Sequence, residues 1–254
     1  MDGFKGIFLE KQNNYHENFN FSNFRERKDV YGFCLGEGPL DWQVLSQAYF
    51  QDRKLFEKYI GVPKSKFGYG DVVKWTHIDR MDCAHIFCST YIFSYCKNIK
   101  QIVEIGAGYG NLYRLNHSII NFDKWTIIDL PFVGDLQKSY ISHEVKDLSR
   151  VNFVSAYNYS DIIPNSFDLC IGSHSISELA WNDFKAYYDR VITNSKYFFY
   201  VGHTWNAGAD LLKRKLDLID QDFDLIKEWN SDFIDSHDDY QIYNNLYMRK
   251  DDTI

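Results

Sequence analysis

Three stretches carry side chains able to do chemistry. The first is Glu104-Ile105-Gly106-Ala107-Gly108-Tyr109-Gly110-Asn111, a glycine-rich turn that follows the apolar Ile102 and Val103. Glycines belong where backbone leaves a strand sharply and comes close to a ligand. Free N–H groups at the start of the next helix suit an electron-rich ligand group. The second is Asp129, which ends the run Trp125-Thr126-Ile127-Ile128, 23 residues after Gly106. A carboxylate there can accept both hydroxyls of a ribose, though Asp-Leu-Pro also reads as a helix start. The third is acid–base. His174 and Glu178 lie in Ser173-His174-Ser175-Ile176-Ser177-Glu178-Leu179, and His203 opens His203-Thr204-Trp205-Asn206. Imidazole, with an ordinary pKa of about 6.5, is largely neutral at pH 7 and can take a proton from a hydroxyl. Of eight histidines these two fall where apolar runs end, and ligands collect beyond the carboxyl ends of parallel strands. Glu178 can orient an imidazole, take the proton itself or bind hydroxyls; it serves equally well as a helix-terminus charge.

These residues need a scaffold, and the pattern from residue 100 onward supplies one. Strands at 101–105, 125–129, 151–156, 167–172 and 196–202 alternate with helices at about 111–119, 133–148, 178–193 and 208–219. That alternation predicts an α/β fold with a parallel sheet. Runs at 223–229 and 240–248 read as a closing antiparallel pair. Upstream, a helix is expected from Asp41 to about Tyr59, stopped by Gly61-Val62-Pro63, and another from about Asp79 to Tyr95. Phe67-Gly68-Tyr69-Gly70-Asp71 reads as an aromatic loop of the kind that forms lids or plain surface turns. Residues 1–78 therefore read as a mainly helical, aromatic extension or lid, and 79–254 as the ligand-binding domain.

Dinucleotide folds want Gly-x-Gly-x-x-Gly. Here the third position is Asn111, the extra glycine comes early at Gly110, and Glu104 stands two residues before Gly106. Glu-x-Gly-x-Gly-x-Gly resembles the first motif of class I S-adenosylmethionine-dependent methyltransferases. The resemblance implies a Rossmann-like seven-stranded methyltransferase sheet with helices on both faces, and S-adenosyl-L-methionine as cofactor. It implies that Glu104 faces the cationic methionine end, that Gly106, Ala107, Gly108 and Gly110 form the cofactor turn, and that Asp129 holds the ribose. Leu130, Ala156 and Tyr157 would lie near the adenine, although the position after the third strand lacks an acid. The transferred methyl would lie near Ser173, at the end of the fourth strand.

Ile127-Ile128-Asp129-Leu130-Pro131, the segment Phe167–Leu179 and the aromatic fifth strand together look like the bacterial sugar O-methyltransferases of surface-polysaccharide (capsule or lipopolysaccharide) clusters. This implies methylation of a sugar hydroxyl, for example on a GDP-heptose, with His174, His203 or Glu178 as the base. Trp205 and Asn206 would contact the substrate; His77 and Arg80, ahead of the helix that leads into the central strand, would contact its phosphate or serve equally well as plain surface residues. A metal-independent reaction is expected, since no oxygen-ligand cluster is evident near the methyl. A non-sugar acceptor, or a cofactor-binding regulatory partner without catalysis, also fits these residues.

Composition narrows the partners. The 254 residues carry a net charge of −7 and no long basic run, which argues against broad nucleic-acid binding. Apolar residues make up 45% and aromatics 18%, enough for a large core and an aromatic-lined pocket. Cysteines 34, 83, 88, 96 and 170 show no metal-site spacing, and reduced, mostly buried thiols in a cytoplasmic protein are expected. No secretory signal and no apolar run of about 18 residues appears. Exposed aromatics in the N-terminal stretch would favour a homodimer.

Overall fold

The computed structural model describes residues 41–65, 67, 78, 80–158, 167–203, 208–230 and 242–250. At its centre is a sheet of seven strands: β1 (Gln101–Ile105), β2 (Lys124–Asp129), β3 (Val151–Ser155), β4 (Phe167–Ser173), β5 (Ser195–His203), β6 (Phe223–Asn230) and β7 (Ile242–Arg249). Their order is β3-β2-β1-β4-β5-β7-β6. β1 to β5 are parallel, and β7 enters antiparallel between β5 and β6. The α/β reading and the closing antiparallel pair are both borne out. The order reverses between β1 and β4, which opens a crevice at the carboxyl ends of those strands.

Helices cover both faces. They are α1 (Asp41–Gln51), α2 (Arg53–Ile60), α3 (Arg80–Tyr95), α4 (Asn111–Asn116), α5 (Pro131–Glu144), α6 (Ser175–Glu178), α7 (Trp181–Arg190) and α8 (Gly208–Asp222). Strand side chains alternate between faces. Ile102, Trp125, Ile127, Leu169 and Phe199 therefore join the core under α3 and α5, while Val103, Ile105, Ile128, Cys170 and Phe198 join the core under α7 and α8. Both faces being buried explains why the strands read as continuous apolar runs. Leu45 and Ala48 of α1 and Tyr59 of α2 pack on Cys83 and Ile86 of α3, which ties the N-terminal helices to the domain.

Several boundaries differ from the sequence reading. The single helix expected from Asp41 to Tyr59 is two helices, because Asp52 breaks the run and caps α2 by accepting from the Leu55 N–H at 3.0 Å. The helix expected over 178–193 is α7, Trp181–Arg190, followed by a 3-10 turn over Ile192–Asn194, while Glu178 ends the separate α6, set off by Leu179 and Ala180. The first crossover helix ends at Asn116, before Ile119, where the Asn116 side chain bonds Ser89, Leu112 and Tyr59. The helix expected over 133–148 runs from Pro131 to Glu144. Cys83, Cys88, Cys96 and Cys170 are buried and unpaired by disulfides. Cys34 and the aromatic loop at 68–71 lie outside the described residues, as do residues 1–40 of the extension.

Candidate cofactor and acceptor site

The glycine turn sits at the end of β1. Gly106, Gly108 and Gly110 have φ of 73°, 55° and 90°, a region that residues with a Cβ rarely adopt. Space excludes larger residues as well. A Cβ on Gly106 would lie 2.3 Å from the Ser175 Cβ, and one on Gly110 would lie 2.6 Å from Ile141 Cδ1. The turn is thus pressed between α6 and α5. The Ser175 hydroxyl donates to the Ile105 carbonyl, joining the turns that follow β1 and β4. The Gly106 N–H donates to the Ile128 carbonyl at 2.9 Å.

Asp129, at the end of β2, reaches back to this turn. Its Oδ2 accepts from the Ala107 N–H at 3.0 Å and from Gln137 Nε2 at 2.7 Å. Its Oδ1 accepts from the Leu130 N–H at 2.8 Å. The same Gln137 nitrogen donates to the Gly108 carbonyl at 2.8 Å. Burial pushes the Asp129 carboxyl up to about 7 against these donors. The Asp129 carbonyl accepts from the Ala156 N–H at 2.7 Å, so the turn after β3 stands beside the carboxylate. Ala156 is half-buried and Tyr157 exposed. Leu130 packs against the core under α5.

Glu104 lies on the α3 face of β1 and accepts from the Trp125 indole at 2.9 Å. It is 3% exposed, and burial pushes its carboxyl up to about 8. Asn111, at the position a dinucleotide fold gives to glycine, is the hub of a buried polar network. Its side chain bonds Asp82, His85, Arg114 and Tyr140. Arg114 pairs with Asp82 at 2.5 Å and donates to the Pro63 carbonyl at 2.9 Å. The glycine turn is thereby anchored to α3, α5 and the N-terminal segment at once.

On the acceptor side, Ser173 ends β4, half-buried, and His174 follows it, exposed. His174 has φ 61° and ψ −43°, a strained backbone for a residue with a Cβ. The turn is held from both sides. Its N–H donates to the Val201 carbonyl at 2.8 Å, and its carbonyl accepts from the Ser177 N–H at 3.2 Å. Glu178 ends α6 and is half-buried. Lys215 of α8, 0% exposed, donates to the carbonyls of Ile176, Ser177 and Leu179 at 3.0, 2.8 and 2.6 Å. His203 ends β5 opposite Ile242, and Arg80 opens α3; their side chains lie outside the described residues. So do His77, Trp205 and Asn206.

The structure thus brings together Gly106, Ala107, Gly108, Gly110, Asp129, Leu130 and Ala156 at one sheet end, with Ser173 and His174 across the crevice. Gln137, Lys215 and the Asp82–Arg114 pair escaped the sequence reading. Each is a polar residue on a helix that a periodicity reading assigns to packing or solvent. The one sequence signal available is Asn111, whose departure from glycine counts, in the sequence, only against a dinucleotide fold. Asp168 accepts from the Lys100 and Gln101 N–H groups at 2.6 and 2.8 Å, at the opposite, amino-terminal end of the strands. Among the described residues no three His, Cys, Asp or Glu side chains converge as a metal site, and no helix is long and apolar enough to cross a membrane.

The sheet order is that of a Rossmann-like methyltransferase fold, and the chain superposes on solved structures. The methyltransferase domain of bacterial CtHen1-C superposes with a TM-score of 0.50 at 13% identity, over 64% of this chain and 96% of that one. The glycopeptide N-methyltransferase MtfA, complexed with sinefungin, gives 0.47 at 13% identity, over 64% and 85%. TrmK of M. capricolum, in complex with S-adenosylhomocysteine, gives 0.45 at 9% identity, over 63% and 66%. At 13% identity the likeness to the CtHen1-C domain is one of fold. No protein-family model matches the sequence, and no curated protein matches it.

Proposed function

We propose that this protein is an S-adenosylmethionine-dependent O-methyltransferase that acts on a sugar hydroxyl in the cytoplasm. The acceptor is a nucleotide-activated sugar of surface-polysaccharide synthesis, such as a GDP-heptose. One observation carries the cofactor reading: Asp129 and the positive-φ glycine turn are joined at the carboxyl ends of β1 and β2. A carboxylate accepts ribose hydroxyls there, and backbone stripped of Cβ atoms lets the methionine portion lie close. The residues fit such a ligand. The sugar reading rests on the resemblance of residues 173–179 and on the proximity of this turn to the glycine loop.

S-adenosylmethionine, when bound, supplies a methyl group activated by a sulfonium. The protein must then align an acceptor oxygen and exclude water, which contributes several kcal/mol to barrier lowering. His174 follows the end of β4 and is exposed; in this reading an acceptor hydroxyl loses its proton to the imidazole as the new bond forms. His203, at the end of the neighbouring β5, is the other candidate base. Lys215 and Ser177 hold the turn that carries His174 and Glu178.

The test has two parts. Calorimetry with S-adenosylhomocysteine reads cofactor binding, and absence of heat and of any thermal shift sinks the cofactor assignment. A nucleotide-sugar panel incubated with cofactor and read by mass for one added methyl group reads the acceptor. Methylation of non-sugar alcohols or amines alone would replace the sugar reading.

A further inference from the structure

We infer that Gln137 is a displaceable latch: its amide ties the glycine loop to Asp129, and a ribose hydroxyl takes its place on the carboxylate. The inference rests on the cofactor reading above. It follows from counting acceptor sites. A carboxylate offers about four lone-pair directions, two per oxygen. Among the described residues Asp129 Oδ2 already accepts from the Ala107 N–H and from Gln137 Nε2, while Oδ1 accepts from the Leu130 N–H alone. A ribose diol bound across the carboxylate needs one site on each oxygen. Oδ1 has one to give; Oδ2 has none until a donor leaves.

Of the donors on Oδ2, the Ala107 amide is fixed. Its residue is pinned by the Gly110 N–H, which donates to the Ala107 carbonyl at 2.9 Å. Gln137 is the partner on a rotatable side chain. It can release Asp129 and keep its second bond, to the Gly108 carbonyl. Gln137 is 0% exposed, yet its Oε1 has no hydrogen-bond partner among the described residues. Buried amides are usually satisfied at both ends, so this one is held on one side only. Its single nitrogen spans the loop and the carboxylate, and release on one side leaves the loop grip intact.

The titratable neighbours are few. Glu104 on β1 is the acid whose carboxyl responds to Asp129. Among the described residues, Tyr109 in the loop, Tyr157 after β3, and His174 and Glu178 after β4 also stand at this end of the sheet. None of them supplies a donor to Asp129. The latch is therefore the sole side-chain donor on the carboxylate among the described residues.

Gln137→Met keeps length and removes the donor; Gln137→Leu is the second variant. Losing a bond present before binding and absent after it should tighten S-adenosylhomocysteine by roughly two- to tenfold in calorimetry. In ligand-free protein, amide hydrogen exchange across residues 106–110 should quicken. A strut that stays in place when the ligand binds gives the opposite, so unchanged or weaker binding by a cooperatively folded variant overturns the latch. Failure of both variants to fold overturns it too. Absence of binding by the wild-type protein sinks the cofactor reading, and the displacement with it, whereas the exchange measurement still reads whether Gln137 holds the loop.

Discussion

Lys215 on α8 donates to the Leu179 carbonyl at 2.6 Å, crossing from one helix to the turn that follows β4. Its other two protons go to the Ile176 and Ser177 carbonyls, which uses all three donors of an ammonium. Burial pulls its pKa down to about 8, with the Glu178 charge opposing. Lys215→Met leaves three carbonyls without a donor and should cost about 2–4 kcal/mol at pH 7 in denaturant unfolding. The pH dependence has a definite sign. A lysine whose folded pKa lies below its unfolded value, here 10.5, carries a cost at low pH that is relieved as pH rises from about 8 to 10.5. The stability gap between wild type and Lys215→Met should therefore widen across that window. A gap that narrows contradicts the burial of the charge.

Asp129 gives the cofactor reading a pH signature. Its carboxyl lies at about 7 because it is buried. The ionised form accepts two ribose hydroxyls, whereas protonation removes an acceptor site. Affinity for S-adenosylhomocysteine should be level above pH 7 and fall up to about tenfold per pH unit below it. Asp129→Asn should bind at least roughly 100-fold more weakly and show a flat profile between pH 5.5 and 8.5. An equally steep profile in the variant would assign the titration to another group.

How legible the protein was in its sequence follows from what each residue needs. The strands were readable because both faces of the sheet are buried, so Ile102, Trp125, Leu169 and Phe198 all had to be apolar. The glycine turn was readable because positive φ at Gly106, Gly108 and Gly110 leaves little choice of residue. The breaks at Asp52 and at Leu179–Ala180 were not, since local propensity permits a continuous helix and tertiary packing decides. Gln137 and Lys215 were hidden for a related reason. Each bonds a segment 29 or more positions away in sequence, such as Gly108 or Leu179, and no spacing rule reaches that far.

Glu104 should destabilise the protein above neutrality. Its folded carboxyl lies at about 8, raised chiefly by burial, against an ordinary 4.5. An acid raised in this way contributes stability below about pH 4.5 that is lost as pH climbs through 8. Glu104→Gln keeps an oxygen to accept the Trp125 indole and removes the charge. The variant should match wild type near pH 5 and exceed it by on the order of 2 kcal/mol at pH 9. Chemical denaturation at the two pH values measures this. A variant less stable than wild type at pH 9 would mean that the charged form is favoured in the fold.

His174 separates stability from catalysis. Its φ of 61° with ψ of −43° is strained for any residue with a Cβ, and the Val201 and Ser177 bonds hold it there. Strain of this kind costs about 1–3 kcal/mol and collects at functional sites. Glycine, with no Cβ, adopts this conformation at lower cost but adds freedom to the unfolded chain, worth about 0.4–1 kcal/mol. His174→Gly should therefore raise the melting temperature by about 2–4 °C over His174→Ala. Both variants should keep their affinity for S-adenosylhomocysteine. Both should lose about 100-fold or more of methyl transfer to whichever acceptor the mass screen identifies. Full turnover in both removes His174 as the base. Turnover kept there but lost in His203→Ala moves the base to β5. Equal melting temperatures for the Gly and Ala variants would remove the strain argument and leave the catalytic one to stand on kinetics.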